Sequence, residues 1–283
     1  MENPLTINPK HEAEKIIQFL KKTFKEQKIN KVVLGLSGGI DSTVVFYLLK
    51  KVLPEKNIFA VQMDYKPRKK IEINLKGVNI ISVSIKRIVD DLKGSISKFF
   101  ITAGTPNPES EKNLISSPSP DKIRLGNIMA RVRMIVLFDL ARQLGAIVCG
   151  TENKSEKLLG YFTRFGDAAS DIEPISYLYK TQIYQLAKYL KIPKEIINQK
   201  PSAGLWNGQT DESDFGFTYQ EADQVLYLFE QSHCHSRGGG NPEHQALDPL
   251  LQGDDKKQFP NIEKIIKFVQ KNQFKQKTPY SLK

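Results

Sequence analysis

A polar, glycine-rich loop, Ser37-Gly38-Gly39-Ile40-Asp41-Ser42, constrains the fold of this chain more than any other feature. The apolar run at residues 31–36 predicts a buried strand that enters the loop. Apolar residues then recur at helical spacing through residues 44–52, and Pro54 ends that helix. A strand, a glycine-rich turn and a helix in this order predict the first unit of a parallel α/β sheet.

The rest of the chain repeats this alternation of strands and helices. Apolar runs predict strands at residues 58–63, 80–85 and 146–149, and periodic apolar residues predict helices at residues 11–24, 123–144, 179–190, 219–229 and 261–271. Residues 104–121, rich in Pro, Ser and Asn, predict a loop. We therefore expect a single α/β domain over residues 1–283, a parallel sheet flanked by helices.

Two segments depart from this pattern. Residues 64–79 hold only the basic stretch Lys66-Pro67-Arg68-Lys69-Lys70 and an apolar remnant, so the crossover helix expected there is missing or compressed. Residues 232–257 contain a run of three glycines, which predicts a flexible insertion. The histidines and the cysteine in this segment match no common zinc spacing, which argues against a metal site there.

The formal net charge of +11 favours anionic partners. It does not distinguish nucleic acid, a membrane surface or a polyphosphate nucleotide, and lysines on solvated helix faces account for much of it. No apolar stretch is long enough to span a bilayer, residues 1–10 lack a secretory pattern, and Cys149 and Cys234 lie far apart. We expect a cytoplasmic protein with no membrane and no nucleic acid among its partners.

The chemistry of the glycine-rich loop points to phosphate. Backbone N–H groups and the positive end of the helix dipole converge between a strand and a helix, and the adjacent glycines let an anion approach closely. The Gly-Lys-Ser/Thr ending of a Walker A motif is absent. Asp41 would repel a polyphosphate unless a cation bridged them, which predicts Mg²⁺. The alternative is a plain turn in which Asp41 and Ser42 cap the helix.

This loop resembles the pyrophosphatase loop of the N-type ATP pyrophosphatases, which cleave ATP between its α and β phosphates. Further segments resemble the ammonia-dependent NAD synthetases within that family: Gly150-Thr151-Glu152-Asn153-Lys154-Ser155-Glu156, residues 160–167, residues 171–175, residues 178–181 and residues 201–206. The resemblance covers nearly the whole chain outside residues 232–257. It implies a Rossmann-like fold of the adenine nucleotide alpha hydrolase type.

The resemblance also implies a set of binding residues. The expected ATP contacts are Gly35, Leu36, Ser37, Gly38, Gly39, Ile40, Asp41, Ser42, Thr151, Lys180 and Ser202. The expected Mg²⁺ ligands are Asp41 and Glu156, and the expected contacts to deamido-NAD are Arg131, Arg164, Asp171 and Lys275. From the residues alone, Glu156 could instead be a solvated helix residue paired with a neighbouring lysine, and Arg131 an exposed arginine.

The match has two departures within these residues. Arg164 stands where the family often has lysine, which preserves the charge but changes the donor geometry. Phe274 stands at the position of a histidine, so only Lys275 is carried over from that pair, and an aromatic ring could replace the histidine by stacking.

The implied reaction is the ATP-dependent amidation of deamido-NAD with ammonia, the last step of NAD biosynthesis. It gives NAD, AMP and pyrophosphate through an acyl-adenylate, and no side-chain nucleophile is needed. No room precedes the first strand for a glutamine-hydrolysing domain, so we expect free ammonia or a separate subunit as the nitrogen source. The resemblance also implies a homodimer. The rivals are a tRNA-thiolating ATP pyrophosphatase and a non-catalytic nucleotide or RNA-binding protein.

Overall fold

A parallel sheet forms the centre of the computed structural model, which describes residues 3–66, 73–102, 120–204, 208–235 and 259–276. Its strands are β1 (Val32–Gly35), β2 (Ile58–Asp64), β3 (Asn79–Ser84) and β4 (Ile147–Cys149). They lie in the order β3-β2-β1-β4, and every pairing is parallel. This confirms the predicted parallel sheet, in which β1 occupies a central position.

Helices connect and cover the strands. Those before β4 are α1 (Pro9–Gln27), α2 (Ile40–Leu49), α3 (Lys86–Thr102) and α4 (Pro120–Leu144). Those after β4 are α5 (Lys154–Leu159), α6 (Lys180–Tyr189), α7 (Lys194–Ile197), α8 (Asp211–Phe215), α9 (Tyr219–His235) and α10 (Ile262–Asn272). The sequence predicted most of these elements, but it missed α3 and the short helices α5, α7 and α8.

The alternation of side chains along β1 explains why both faces of the sheet are covered. Val32 and Leu34 pack into one apolar cluster with residues of α1, α2 and α6. Val33, which points to the other face, packs into a second cluster with residues of β2, α3 and α4. Strands buried on both faces read as continuous apolar runs, as β1 does. A third cluster joins α5, α8, α9 and α10 beyond the carboxyl end of the sheet.

The connection between β2 and β3 contains no helix among its described residues, 65–66 and 73–78. This agrees with the compressed crossover that the sequence predicted. Its consequence is visible on the edge strand β3, where Ile80 is 49% exposed. The side chains of Ile73, Leu75 and Val78 still pack against the first cluster, so part of that face is covered by extended chain.

Two predicted boundaries were wrong. The loop expected at residues 104–121 ends earlier, because α4 begins at Pro120, and proline is well suited to the first turn of a helix. The insertion expected at residues 232–257 begins later, because α9 continues to His235. No glycine or proline interrupts the sequence before Gly238, so nothing stops the helix at Phe229. The remainder of both segments, residues 103–119 and 236–258, lies outside the described residues.

None of the described helices combines the length and the apolar character needed to cross a membrane.

Candidate active site

The glycine-rich loop lies where β1 ends and α2 begins. Gly38 has a φ of 80°, a left-handed conformation that favours glycine, and Gly39 is the residue before the first turn of α2. Side chains brace the turn: the amide of Gly39 donates to Ser37 Oγ over 3.2 Å, and the hydroxyls of Ser42 and Thr43 donate to Gly39 O over 3.1 and 2.8 Å. The result is a braced turn at a helix N-terminus, the setting in which proteins bind phosphate.

A buried lysine joins the two carboxylates that the sequence assigned to a metal. The Nζ atom of Lys180 lies 2.7 Å from Asp41 Oδ2 and 3.0 Å from Glu156 Oε1. The three side chains come from the starts of α2, α5 and α6, and that of Lys180 is 3% exposed. The structure therefore brings Asp41, Glu156 and Lys180 into one charged cluster beside the glycine-rich loop.

Asn153 links this cluster to the backbone. Its side chain is fully buried, and its Nδ2 donates to Asp41 Oδ1 over 3.0 Å. Its Oδ1 accepts the amide of Glu156 over 3.0 Å, while Glu156 Oε2 accepts the amide of Asn153 over 3.4 Å. This reciprocal pair is a capping box at the start of α5. Because of it, the backbone that starts the helix also fixes the orientation of the Glu156 carboxylate.

The charges of the cluster hold each other in place. Burial raises the pKa of Glu156, and the nearby ammonium of Lys180 opposes that shift. Burial by itself lowers the pKa of Lys180, but Asp41 and then Glu156 outweigh it, so the net pKa of Lys180 is raised. The lysine is therefore firmly protonated at neutral pH, and it neutralises charge that would otherwise be repulsive.

The donors present at the cluster suit Mg²⁺ bound together with a polyphosphate. Within the described residues, no group of three or more His, Cys, Asp or Glu side chains could hold a metal by itself. Mg²⁺, however, usually takes only one or two protein carboxylates and completes its shell with water and substrate phosphates. Asp41 and Glu156 supply two carboxylates, both in contact with the same nitrogen.

The other residues expected at the ATP site lie at the carboxyl end of the sheet or near it. Thr151 is half-buried just after β4, and Ser202 is exposed, its Oγ accepting the amide of Gly204 over 3.0 Å. Leu36 and Ile40 are buried apolar residues whose side chains cannot bind phosphate, and the Leu36 amide donates to the carbonyl oxygen of Val61 over 2.9 Å. Lys180 differs most from expectation, because its ammonium is already engaged by two carboxylates.

Arg131 and Arg164 meet at a second position. Arg131 is exposed on α4, and its Nη2 donates to the carbonyl oxygen of Arg164 over 3.2 Å. The same helix and loop are joined again by Thr163 Oγ1, which lies 2.8 Å from Asn127 Oδ1. The Arg131 guanidinium is therefore held against the backbone of the segment that carries Arg164.

Asp171 and Lys275 already bind backbone groups. Asp171 Oδ2 accepts the amide of Val148 over 2.7 Å, and its segment runs against β4, where a side chain larger than hydrogen at Gly150 would collide with Ser170. The Nζ atom of Lys275 donates to two carbonyl oxygens, those of Gly160 at 2.9 Å and Phe162 at 3.2 Å. Both side chains stabilise the segments that flank Arg164. Phe274, next to Lys275, is 53% exposed.

Sequence reasoning missed four residues of this region. They are Asn153, Asp211, Tyr219 and Asp223, all buried. The spacing Asn153-Lys154-Ser155-Glu156 carried the signal of a capping box. Asp223 stands among the apolar residues of α9, where the helical period predicts the core, and an aspartate there needs a partner.

Tyr219 and Asp211 extend the charged cluster. The ring of Tyr219 lies 5.0 Å from Lys180 Nζ, and its hydroxyl donates to Asp211 Oδ2 over 3.0 Å. Asp211 Oδ1 accepts the amide of Ala203 over 3.0 Å, and the amide of Asp211 donates to the carbonyl oxygen of Pro201 over 2.9 Å. Asp211 thereby fixes the segment that carries Ser202.

Comparison with known proteins gives one consistent family. The family model described as NAD synthase matches residues 12–279. The NH(3)-dependent NAD(+) synthetase of Fusobacterium nucleatum is 38% identical over 277 residues, which are 98% of this chain and 97% of that protein. A solved structure of the NH3-dependent NAD synthetase of Campylobacter jejuni, in complex with the nitrate ion, is 30% identical with a TM-score of 0.64 and covers 98% of this chain and 100% of its own.

A solved structure with a different name is similar as well. The NMN synthetase of Francisella tularensis has a TM-score of 0.71 and 29% identity, and the match covers 98% of this chain and 99% of that chain.

Proposed function

The chain belongs to the NAD synthase family, and we propose that the site described above performs the reaction of the NH3-dependent members. That reaction is the ATP-dependent amidation of deamido-NAD with ammonia, which gives NAD, AMP and pyrophosphate and is the last step of NAD biosynthesis. The observation that carries the proposal is the cluster of Asp41, Glu156 and Lys180 beside a braced glycine-rich loop. It supplies anionic and cationic groups where a strand meets a helix N-terminus.

ATP binds, in this proposal, across the carboxyl end of β1. The loop from Gly35 to Ser42 lies against its phosphates at the N-terminus of α2, and Thr151 and Ser202 add hydroxyl groups. Lys180 contributes positive charge toward the bond that breaks between the α and β phosphates. The support for this ATP position is the conformation of the loop, which combines a left-handed glycine with a helix N-terminus. Open α/β sheets also bind nucleotides at the carboxyl ends of their strands.

Asp41 and Glu156 would hold Mg²⁺ when ATP is present. The ion would neutralise phosphate charge and make pyrophosphate a better leaving group. Lys180 holds the two carboxylates together, while Asn153 donates to Asp41 through its side-chain amide and to Glu156 through its backbone amide. These carboxylates are thus preorganised to receive a second cation.

Deamido-NAD is proposed to bind beside Arg131 and Arg164. Both arginines offer charge-assisted hydrogen bonds to phosphate or carboxylate. Asp171 and Lys275 are included as contacts to the dinucleotide, and their bonds to backbone groups give them a further role in holding the segments around Arg164. The substrate thereby meets positive charge on one side and the ATP site on the other.

The reaction needs positioning more than side-chain nucleophiles. The nicotinate carboxylate of deamido-NAD attacks the α-phosphorus of ATP, and the bond to pyrophosphate breaks, which gives the acyl-adenylate. Ammonia then attacks the acyl carbon, and AMP leaves. The contribution of the protein is to align the carboxylate with the phosphorus and to offset growing negative charge through groups such as Lys180.

The direct test is incubation of the purified protein with ATP, Mg²⁺, deamido-NAD and an ammonium salt. NAD, AMP and pyrophosphate should form in equal amounts, and omission of any reactant should stop the reaction. Formation of ADP in place of AMP, or ATP consumption without NAD, would contradict the proposal. A tRNA-thiolating enzyme or a non-catalytic nucleotide-binding protein would yield no NAD in this assay.

A second candidate is amidation of the mononucleotide counterpart of deamido-NAD, which the likeness to the NMN synthetase of Francisella tularensis favours. Deamido-NAD is preferred because the sequence relatives that match most of this chain are named NAD(+) synthetases, at 38% identity in one case. Supplying both acids together and measuring the ratio of the two amide products decides between them. A product mixture dominated by the mononucleotide would reverse the preference.

We propose that the protein is a homodimer. Along α3, Ile88, Leu92 and Ile96 are spaced by four residues and are 46%, 42% and 40% exposed, and α4, which packs against α3, exposes Ile135. An apolar row on a helix surface is typical of a buried contact. Light scattering should give twice the chain mass, and Leu92→Glu should give the monomer. Phe19→Glu, on the remote helix α1, is the control and should leave the dimer intact.

We also propose a cytoplasmic location. The chain has two cysteines, of which Cys149 is free and buried, and this is not the cysteine-rich pattern of small secreted domains. Cell fractionation with an antibody against the protein tests this proposal, and recovery outside the cytoplasmic fraction would contradict it.

A further inference from the structure

Asp223 is a fully buried carboxylate that contacts none of the proposed substrate or metal ligands through their side chains. It lies on α9 and is 0% exposed. One of its oxygens accepts the hydroxyl of Ser155, and the other accepts the amide of Thr181 over 2.8 Å. Ser155 immediately precedes Glu156 in the sequence, and Thr181 immediately follows Lys180. The carboxylate therefore binds the neighbours of two site residues at once.

The hydroxyl of Ser155 makes the connection continuous. Its oxygen accepts the amide of Lys180 over 2.8 Å while its hydrogen is donated to Asp223. The first two N–H groups of α6, those of Lys180 and Thr181, are thus satisfied by Asp223, one of them through Ser155. The first four N–H groups of a helix have no partner within the helix. A carboxylate there also complements the positive end of the helix dipole.

Helix α9 also contacts the far end of the Lys180 side chain, its ammonium group. Tyr219 lies one helical turn before Asp223, and its ring is 5.0 Å from the ammonium of Lys180. One helix therefore contacts the ammonium through Tyr219 and the backbone through Asp223. Since Lys180 Nζ must reach Asp41 and Glu156 from α6, the position of the α6 backbone decides whether the cluster forms.

We propose that Asp223 is a positioning residue for the ATP site: it fixes the start of α6 against the start of α5, so that Lys180 and Glu156 meet. The inference rests on the proposed function of that site. A buried polar network is retained at a cost in desolvation, and apolar residues of similar volume would pack the same helices at least as well. Asp223 accepts hydrogen bonds from Ser155 and Thr181, and each of these residues is next to a site residue in the sequence. These two bonds connect Asp223 to the site.

The test uses Asp223→Asn, which keeps the shape but removes the charge, and Ser155→Ala, which removes the bridging hydroxyl. Small displacements of a site are costly, about a hundredfold in rate for about 1 Å. We expect each variant to lower kcat about ten- to a hundredfold and to weaken binding of Mg-ATP about tenfold in calorimetry. The KM for ammonia should not change. The double variant should lose little more than either single one, because both act through one chain of hydrogen bonds.

Glu230→Gln is the matched control. Glu230 lies on the same helix and joins the same two regions, through Lys154 at the start of α5 and Tyr179 just before α6. Its bonds involve the side chains of Lys154 and Tyr179 and no helix amide. Glu230→Gln removes the charge of a partly exposed ion pair, so the free energy of unfolding should fall only slightly. Its kcat and its affinity for Mg-ATP should match those of the wild type.

A purely structural role for Asp223 predicts a different pattern. Activity and ATP affinity would then match the wild type in every variant that is fully folded by circular dichroism, and that outcome would overturn the inference. If Asp223→Asn fails to fold, Ser155→Ala carries the test alone, since the loss of one hydroxyl should be tolerated. ATP binding is measured without amidation, so it tests the inference about Asp223 even if the wild type makes no NAD. A wild type that makes no NAD would refute the proposed function and leave the test of Asp223 intact.

Discussion

Replacement of Lys180 by methionine should reveal how much the charged cluster depends on its cation. In the structure its ammonium lies 2.7 Å from Asp41 Oδ2 and 3.0 Å from Glu156 Oε1, and the lysine side chain is 3% exposed. Methionine preserves most of the length and the apolar stem. The substitution therefore removes one charge and leaves two partly buried carboxylates facing each other.

The magnitude follows from burial. Breaking a buried ion pair by removing one partner costs about 3–5 kcal/mol, because the remaining charge is left uncompensated. Asp41 and Glu156 keep 16% and 18% of their side chains exposed, so water offsets part of that cost. We expect a loss of about 3 kcal/mol in the free energy of unfolding above neutral pH, which is about a hundredfold in the folding equilibrium. The loss should shrink on acidification, because protonation of a carboxylate removes the repulsion.

Urea denaturation at several pH values, without ATP or metal, measures this effect. Lys154→Met is the control: its ion pair with Glu230 is more exposed, with 25% and 32% of the side chains accessible, and exposed pairs contribute about 0–1 kcal/mol. Added Mg²⁺ should restore part of the stability of Lys180→Met, because a ligand that binds only the native state stabilises it. Equal stability of the two variants at high pH would refute the reasoning.

Three further results are expected. Asp41→Asn and Glu156→Gln should each lower turnover severely at limiting Mg²⁺, since each removes an anionic ligand and keeps its shape; near-native rates in both would refute the metal site. Arg131→Ala and Arg164→Ala should each weaken deamido-NAD binding about ten- to a hundredfold in calorimetry and leave ATP binding nearly unchanged, because a charge-assisted hydrogen bond contributes about 1.5–3 kcal/mol. Burial raises the pKa of Asp223 from 3.8 to about 6, so the stability it contributes is present below pH 4 and is lost as the pH rises through 6. Relative to Asp223→Asn, the wild type should therefore lose about 3 kcal/mol across that range in urea titrations, and parallel pH profiles would contradict this.

The fold was largely predictable because its strands read as apolar runs next to turns. β1, β2 and β4 are mostly buried, whereas β3 lies at the edge of the sheet and alternates between half-buried and exposed residues. All four strands were located to within one residue at either end. The helix α3 was missed although its sequence carries a helical signal: Ile88, Leu92 and Ile96 recur every four residues, even though all three remain exposed in the chain. The short helix α5 has too few residues for a period, and its capping box was the only available sign.

The sequence predicted that Asp41 and Glu156 lie near each other, and in the structure both contact the ammonium of Lys180. It did not predict that contact. The expectation for Lys180 was a contact to ATP, whereas the structure places its ammonium between these carboxylates, across a sequence separation of 139 residues from Asp41. Such a contact depends on how α2, α5 and α6 converge at the carboxyl end of the sheet. No local pattern in the sequence encodes that convergence.

The buried carboxylates near the carboxyl end of the sheet carry a cost in desolvation free energy. Burial raises the pKa values of Glu156, Asp211 and Asp223, so the surroundings of each carboxylate disfavour its ionised form. A chain selected for stability alone would replace them with apolar residues. Each instead fixes a group at the site: Glu156 binds Lys180, Asp211 holds the segment of Ser202, and Asp223 holds the start of α6. All three bonds fix groups of the candidate site near the carboxyl end of the sheet. Charged groups fixed in advance are what a site preorganised for a charged reaction requires.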